Sequence, residues 1–525
     1  MHRFRLPTLL LTLPLCFMAA RARGETLHVD PSGPLDTIQA AIDSAQSGDT
    51  LLLAPAIFSE NPLVRDKDLT IRSAAGSRAV LDAAPLAGGG NAGNGLRVVR
   101  SFVRLESIVI RNATPAPTGA AILLFTGQVQ MRHCRLENNW LGAFAADIAV
   151  PGQFDIEECE IVGSDLGLQG RRFTRVVRTR FEGNRRALGA LGEVELIDVE
   201  VVGNGVGNEG FGVVLGESWG RLEGLRIHDN RGWIPGLWME RGPFEVSDCI
   251  VENNTSLASP FRLGGPAGIA FVRVSDATLR GCVSRSNRAS GAVDGVGGLY
   301  IDRSRVRVDG CRIENNQSEV DGGGIRVHRG SNVELVGCSV VGNRSDGDGG
   351  GLYVHNASVR LDSVVVAGNE SSKVGGGIAA QFGATLTIQR STMASNVAPT
   401  TGGIFLLEAG ALLESSIVAF NEGGPTLLCA GTLALSCTDI YGNTDDELCG
   451  SDLGGNVSVD PQFCDLDPDR ESFDLRLRRG SPVATLDGCG GLGALSVACE
   501  PVSAQPITWS RLKRLYRPPT SVRRD

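Results

Sequence analysis

Aromatic side chains are scarce in this 525-residue chain, at 5% of its residues, and lysine occurs only three times, as Lys67, Lys373 and Lys513. In place of aromatic-rich cores there are 69 glycines and short bursts of Val, Leu and Ile, the composition of a repeat protein rather than of separate globules. An excess of positive charge is missing too. The formal net charge of -9 argues against a general affinity for nucleic acid or anionic membranes, because basic patches drive both. Beyond residue 24 no apolar run is long enough to span a bilayer.

The first 24 residues, MHRFRLPTLLLTLPLCFMAARARG, join a basic start (His2, Arg3, Arg5) to an apolar stretch from Leu6 to Ala20 and a small-residue exit near Ala22 or Gly24. That order is the pattern of a cleaved secretory signal, so an exported chain, secreted or at the cell surface, is expected. Of the cysteines after it, Cys429, Cys437, Cys449, Cys464, Cys489 and Cys499 crowd loop-like sequence near the end. In an oxidising compartment they predict three disulfides between neighbours, Cys429 with Cys437 for example, although spacing alone leaves fifteen connectivities open.

A glycine introduces a short apolar strand thirteen times, at Gly95, Gly119, Gly142, Gly167, Gly189, Gly212, Gly236, Gly268, Gly298, Gly324, Gly351, Gly377 and Gly403. The steps are 22 to 27 residues apart from two, of 32 and 30. A second ladder closes each unit with a polar turn, usually Asn, as at Asn316, Asn343, Asn369 and Asn396. Within a unit the apolar residues alternate with period two and are broken by Gly, Asn and Ser, which predicts three short strands separated by turns. One such coil cannot bury its own apolar face, but a stack of coils builds parallel sheets around a continuous core. The turn Asn suits a left-handed backbone position and can stack its amide on the next one. Cys134, Cys159, Cys249, Cys282, Cys311 and Cys338 each lie five residues before the turn position, so they form one inward column of buried thiols, continued by Val364, Ser391 and Ser416.

These ladders, the opening DTIQAAIDSAQSGDTLLLAPAIFSE and the closing GGNVSVDPQFCDLD resemble the right-handed parallel β-helix proteins of the pectin lyase-like superfamily. The resemblance covers about residues 26 to 500 and implies an all-β solenoid of about 13 or more coils. A helix from Thr37 to Ala45, with Ile38, Ala41, Ile42 and Ala45 on one face, would cap its N-terminal end. The expected organisation is a signal over 1–24, the β-helix over 25–420, final coils and a cysteine-rich cap over 421–500, and a basic tail over 501–525. The fold alone does not assign an activity, since it carries lyases, hydrolases, epimerases, esterases and adhesins.

Candidate chemistry is sought on the outside of the glycine-led strands, where the second and fourth residues should point away from the core. From Gly236 onward the first outward column reads Trp238, Ala270, Tyr300, Arg326, Tyr353, Ala379, Phe405, and the second reads Glu240, Val272, Asp302, His328, His355, Gln381. Two readings are open. In one, Trp238, Glu240, Tyr300 and Tyr353 bind a polysaccharide, Arg326 pairs with a uronate carboxylate, and Asp302, His328 or His355 transfers protons. In the other the column is a packed ladder of rings and cations. The turns before these strands carry Asp294, Asp321, Asp346 and Asp348, which read either as turn chemistry or as a calcium site built from Asp321, Asp346 and Asp348. The superfamily's hydrolases place catalytic aspartates in this turn, but next to the strand rather than three residues before the glycine, and no GHG element is present. Its lyases use calcium with a Lys or Arg base, and only Lys373 lies in the central coils. The expectation is therefore a monomeric carbohydrate-binding or surface-structural protein contacting a polysaccharide or envelope glycan, with an enzyme acting on an acidic polysaccharide as the alternative. If there is a site, it is expected between about residues 219 and 355, near the long insertions.

Overall fold

Alternation of apolar and polar residues along segments of three to five residues produces strands whose every other side chain enters a shared interior. A computed structural model describes residues 24–83, 93–114, 119–146, 152–205, 210–258, 265–290, 295–446, 449–466 and 474–499. The expected signal up to residue 23, Asp294 and the basic tail lie outside the described residues.

Each coil has three main faces, and between Arg231 and Gly423 two-residue strands such as Arg344–Ser345 add a further sheet of eight short strands. The first holds the glycine-led strands such as Ile325–His328 and Leu352–His355, the second Asn332–Val336 and Ser358–Asp362, and the third Ser339–Val341 and Val365–Ala367. Neighbouring coils pair in parallel and in register, with Ile325 opposite Leu352 and Val333 opposite Val359. The third face is a sheet of 16 strands, whereas the first and second merge into one sheet because strands such as Arg186–Ile197 and Phe211–Glu223 run through the corner between them. At about 4.8 Å per strand the stack is roughly 70 Å long. One apolar core runs inside it from Val29 to Ile440. The helix Ile38–Ser44 covers its first end, with Thr37 as N-cap and Ile38, Ala41 and Ile42 buried.

The asparagine ladder is buried and saturated. Asn343 donates its backbone N–H and its side-chain amide to Asn369 Oδ1, at 2.9 and 3.0 Å, and its amide also reaches the Ile313 carbonyl at 2.9 Å. The left-handed backbone falls one residue earlier than expected, on Asn315, Gly342, Gly368 and Ser395 rather than on the ladder residues. That kink turns the following asparagine inward. The same ladder explains the glycines, for a Cβ on Gly324 would lie 2.6 Å from the Gly351 carbonyl oxygen and 2.9 Å from the Asn343 side chain. Two expected glycines are misplaced by two residues: Ala121 and Ala187, not Gly119 and Gly189, stand in this row, as the pairings Leu96 with Ile122 and Leu168 with Leu188 show. Only the smallest side chains fit there.

The six repeat cysteines are free and buried. Their sulfurs stack, with Cys282 N–H donating to Cys311 Sγ at 3.3 Å, and the neighbouring thiols together with burial push Cys282 and Cys311 up to about 12. The pairing of the remaining cysteines differs from the neighbour-to-neighbour expectation: the bridges are Cys429–Cys449, Cys437–Cys489 and Cys464–Cys499. Cys429 and Cys437 cannot meet because the extended strand Leu427–Ser436 separates them. The chain after the last coil folds back along the outside of the third face. There Phe463, Leu475, Leu477, Val483 and Leu492 pack on Val365, Ala394 and Ile417. Among the described residues no helix is long and apolar enough to cross a membrane.

Candidate functional site

Register along the first face brings the two expected columns together residue by residue. Trp238, Ala270, Tyr300, Arg326, Tyr353, Ala379 and Phe405 stand opposite one another in successive coils, as do Glu240, Val272, Asp302, His328, His355 and Gln381. They point away from the core, and in the central coils they are closed off from solvent: Tyr300 and Asp302 are 3% exposed, Tyr353 5%, Arg326 and His328 6%, whereas Trp238, Glu240, His355 and Phe405 are half-buried. Over Arg326 and Tyr353 the cover is the Asp-Gly turn before the strand. Gly322 and Gly349 take positive φ values of 77° and 68° and curl back until an added Cβ would touch the Cβ of Arg326 at 2.8 Å and of Tyr353 at 2.9 Å.

Beneath this cover the side chains bond to one another. Arg326 Nε donates to His328 Nε2, and its guanidinium lies 5.5 Å from the Tyr353 ring centre. The Tyr353 hydroxyl is 3.3 Å from both His355 Nδ1 and Gln381 Oε1, and the Gln381 amide donates to Asp348 Oδ2 at 2.8 Å. Asp302 faces Arg329 at 3.5 Å. Asp321 accepts the Asp348 N–H at 3.0 Å and approaches Arg326 at 3.9 Å. Asp346 turns to Arg344, 3.8 Å away. Among the described residues no three His, Cys, Asp or Glu side chains converge as a metal cluster.

Titration follows from this packing. Burial first, then the charges of Arg326, Arg329 and His355, hold His328 down at about 3, so at neutral pH it is an uncharged imidazole whose Nε2 lone pair is engaged by Arg326. Burial raises Asp348 above the usual carboxylate range and pushes the Tyr353 phenol up to about 12. His355, half-buried, is the more accessible of the two imidazoles. Beside it runs an exposed row of left-handed arginines at the corner of the first and second faces, Arg241, Arg273, Arg303 and Arg329.

An open groove of about 500 Å³ lies elsewhere, on the second face between the coils holding Phe173 and Thr278. Trp219, 47% exposed, stands in it. Glu193 is opposite Trp219 on the preceding coil, and Arg221 is opposite Glu195 on one side and Glu245 on the other. Phe173, Pro243 and Asp276 complete its lining. Sequence reasoning placed a site between about residues 219 and 355 but missed the groove, most of whose lining lies before Trp219 or on the second face. Its residues align only when the register is known, and the register shifts between Ala190 and Gly192, where the next coil inserts one extra residue.

Residues 192–362 match the family model described as "Right handed beta helix region". No curated protein sequence matches the chain. Solved structures similar to it include the pectate lyase Pel9A, with a TM-score of 0.28 and 11% identity over 91% of this chain and 97% of that one. The A-module of the Azotobacter vinelandii mannuronan C-5 epimerase AlgE6 has a TM-score of 0.25 and 13% identity over 81% and 95%. A rhamnogalacturonan lyase has a TM-score of 0.21 and 10% identity over 94% and 99%. Scores of this size carry nothing about chemistry.

Proposed function

We propose that this right-handed parallel β-helix is an exported, monomeric carbohydrate-binding protein of the cell surface or surroundings, and that it holds its glycan in the Trp219 groove. The observation that carries this reading is the exposed indole inside an open cleft of sugar-chain dimensions on an otherwise regular wall. An indole face matches the C–H face of a pyranose, and the polar groups beside it can orient hydroxyls. The leader-like N-terminus and the three disulfides support export. Affinity electrophoresis of the full chain through gels containing purified polysaccharides should show retardation by at least one of them, and Trp219→Ala should weaken it about tenfold or more. Equal retardation of the variant, with its melting temperature unchanged, would remove the groove from the reading.

A second reading is favoured by one arrangement, the half-buried His355 beside Tyr353 with the row of exposed arginines along it. It is an enzyme on a uronate polymer, with Asp302, Arg326, His328 or His355 in catalysis and calcium held by Asp321, Asp346 and Asp348. Incubation with pectic, alginate and glycosaminoglycan polymers, with and without calcium, tests it. New unsaturated or reducing ends, lost on His355→Ala, would establish turnover, and their absence across the panel would leave binding as the activity.

A further inference from the structure

One outer column of the second face alternates in charge from coil to coil, and in the groove a second column beside it adds carboxylates that the alternation does not balance. Along the first column opposite charges pair: Asp155 with Arg175 at 2.8 Å, Arg175 with Glu195 at 3.0 Å, and Glu334 with Arg360 at 3.7 Å. In the groove that column continues as Glu195, Arg221 and Glu245, while the column beside it reads Phe173, Glu193, Trp219, Pro243, Asp276, with no cation in it. Glu193, Glu245 and Asp276 are exposed and make no ion pair among the described residues, while Arg221 is drawn off to Glu223. An aromatic face thus sits among four carboxylates, Glu193, Glu195, Glu245 and Asp276, with Arg221 the one guanidinium among the lining residues.

Resting on the reading of this groove as a sugar site, we infer that its ligand is an amine-bearing glycan, a polymer or oligomer of amino sugars with free protonated amines, rather than a uronate or a neutral chain. A protonated amine gains twice here. The ring of Trp219 attracts a cation over its face, and Glu193, Glu245 and Asp276 supply acceptors for its N–H groups. A uronate carboxylate would meet three like charges on entry. Because the carboxylates belong to different coils, successive amines along a stretched chain can each find one.

The test is calorimetric titration of the full chain with three oligosaccharides of equal length, at a pH where the amines are protonated: a free-amine chito-oligosaccharide, its fully N-acetylated form and an oligogalacturonate. A linear polyamine serves as a fourth ligand. The free-amine sugar should bind at least about tenfold tighter than the N-acetylated one, the uronate weakest, and the preference should shrink as salt screens the groups. In the variant Glu193→Gln/Glu245→Gln/Asp276→Asn the ratio of amine to N-acetyl affinity should fall towards one, with an unchanged melting temperature confirming its fold. Equal binding of the first two sugars, or a preference for the uronate, overturns the inference while leaving a sugar site in place. A polyamine that binds as tightly as the amino sugar overturns it as well, since the sugar face would then be unused. Binding of none of the ligands overturns this inference, and the groove reading beneath it is decided separately by the retardation of the Trp219→Ala variant.

Discussion

Burial and the charges of Arg326, Arg329 and His355 keep His328 near a pKa of 3, while in the unfolded chain it titrates near 6.5. Below about 6.5 the unfolded state takes up a proton that the folded state refuses, so stability is held above that value and lost as pH falls towards 3. The slope contributed by one such group reaches about 1.4 kcal/mol per pH unit inside the window. Urea midpoints followed from about pH 7 down to about pH 4 should therefore decline less steeply in His328→Gln, whose amide oxygen still accepts from Arg326. Parallel curves for the two proteins would mean that His328 is protonated in the folded chain. The same residue shows how far an outward position can be from an exposed one. Alternation correctly separates Arg326 and His328 from the core, but the backbone of the Asp-Gly turn closes over them.

At the level of the strand and its turn, the asparagine ladder is the element that each coil depends on. Asn343→Ala would strip the acceptor from two Asn316 donors and leave the Ile313 carbonyl and Asn369 Oδ1 short of a donor, all of them buried. Each unsatisfied group costs about 1–3 kcal/mol, so a loss of about 3 kcal/mol or more is expected in chemical denaturation. Asn343→Ser should cost less, because the ladder already accommodates Ser164, which donates its N–H to Asn184 Oδ1 at 2.9 Å. If the two variants lost the same stability, the amide ladder would not be what joins these coils. The spacing of glycine and asparagine was legible in the sequence, yet their physical connection was not. Which side chain a glycine makes room for is a matter of contact across the coil's cross-section, and the slips at Gly119 and Gly189 arose because a ladder read by residue type cannot see an alanine taking its place.

Over the whole molecule, contacts link each coil to its neighbours, so damage at one end should stay there. The Cys437–Cys489 bridge closes 52 residues and ties the returning C-terminal segment to the last coils. Replacing both cysteines by serine should cost about 2–4 kcal/mol locally. Hydrogen exchange should rise over residues 457–499 and at Val365, Ala394 and Ile417, and stay slow in the strands Ile325–His328 and Leu352–His355. Fast exchange along the entire rod would show that the flap, not the stack, sets its stability.

The sequence by itself determined the solenoid: period-two apolar strands, two ladders of small and polar residues and a capping helix are local or strictly periodic features, and stacking identical coils leaves them one solution. It also marked the columns from Trp238 to Phe405 and from Glu240 to Gln381, since side-chain direction follows from alternation. Only the tertiary structure decided what those columns amount to. The backbone of a turn closes over part of them, disulfides reach across coils rather than to the next cysteine, and the groove at Trp219 opens beside a one-residue shift of register. Each of these depends on how separate coils come to lie against one another, a relation that periodicity along the chain does not contain.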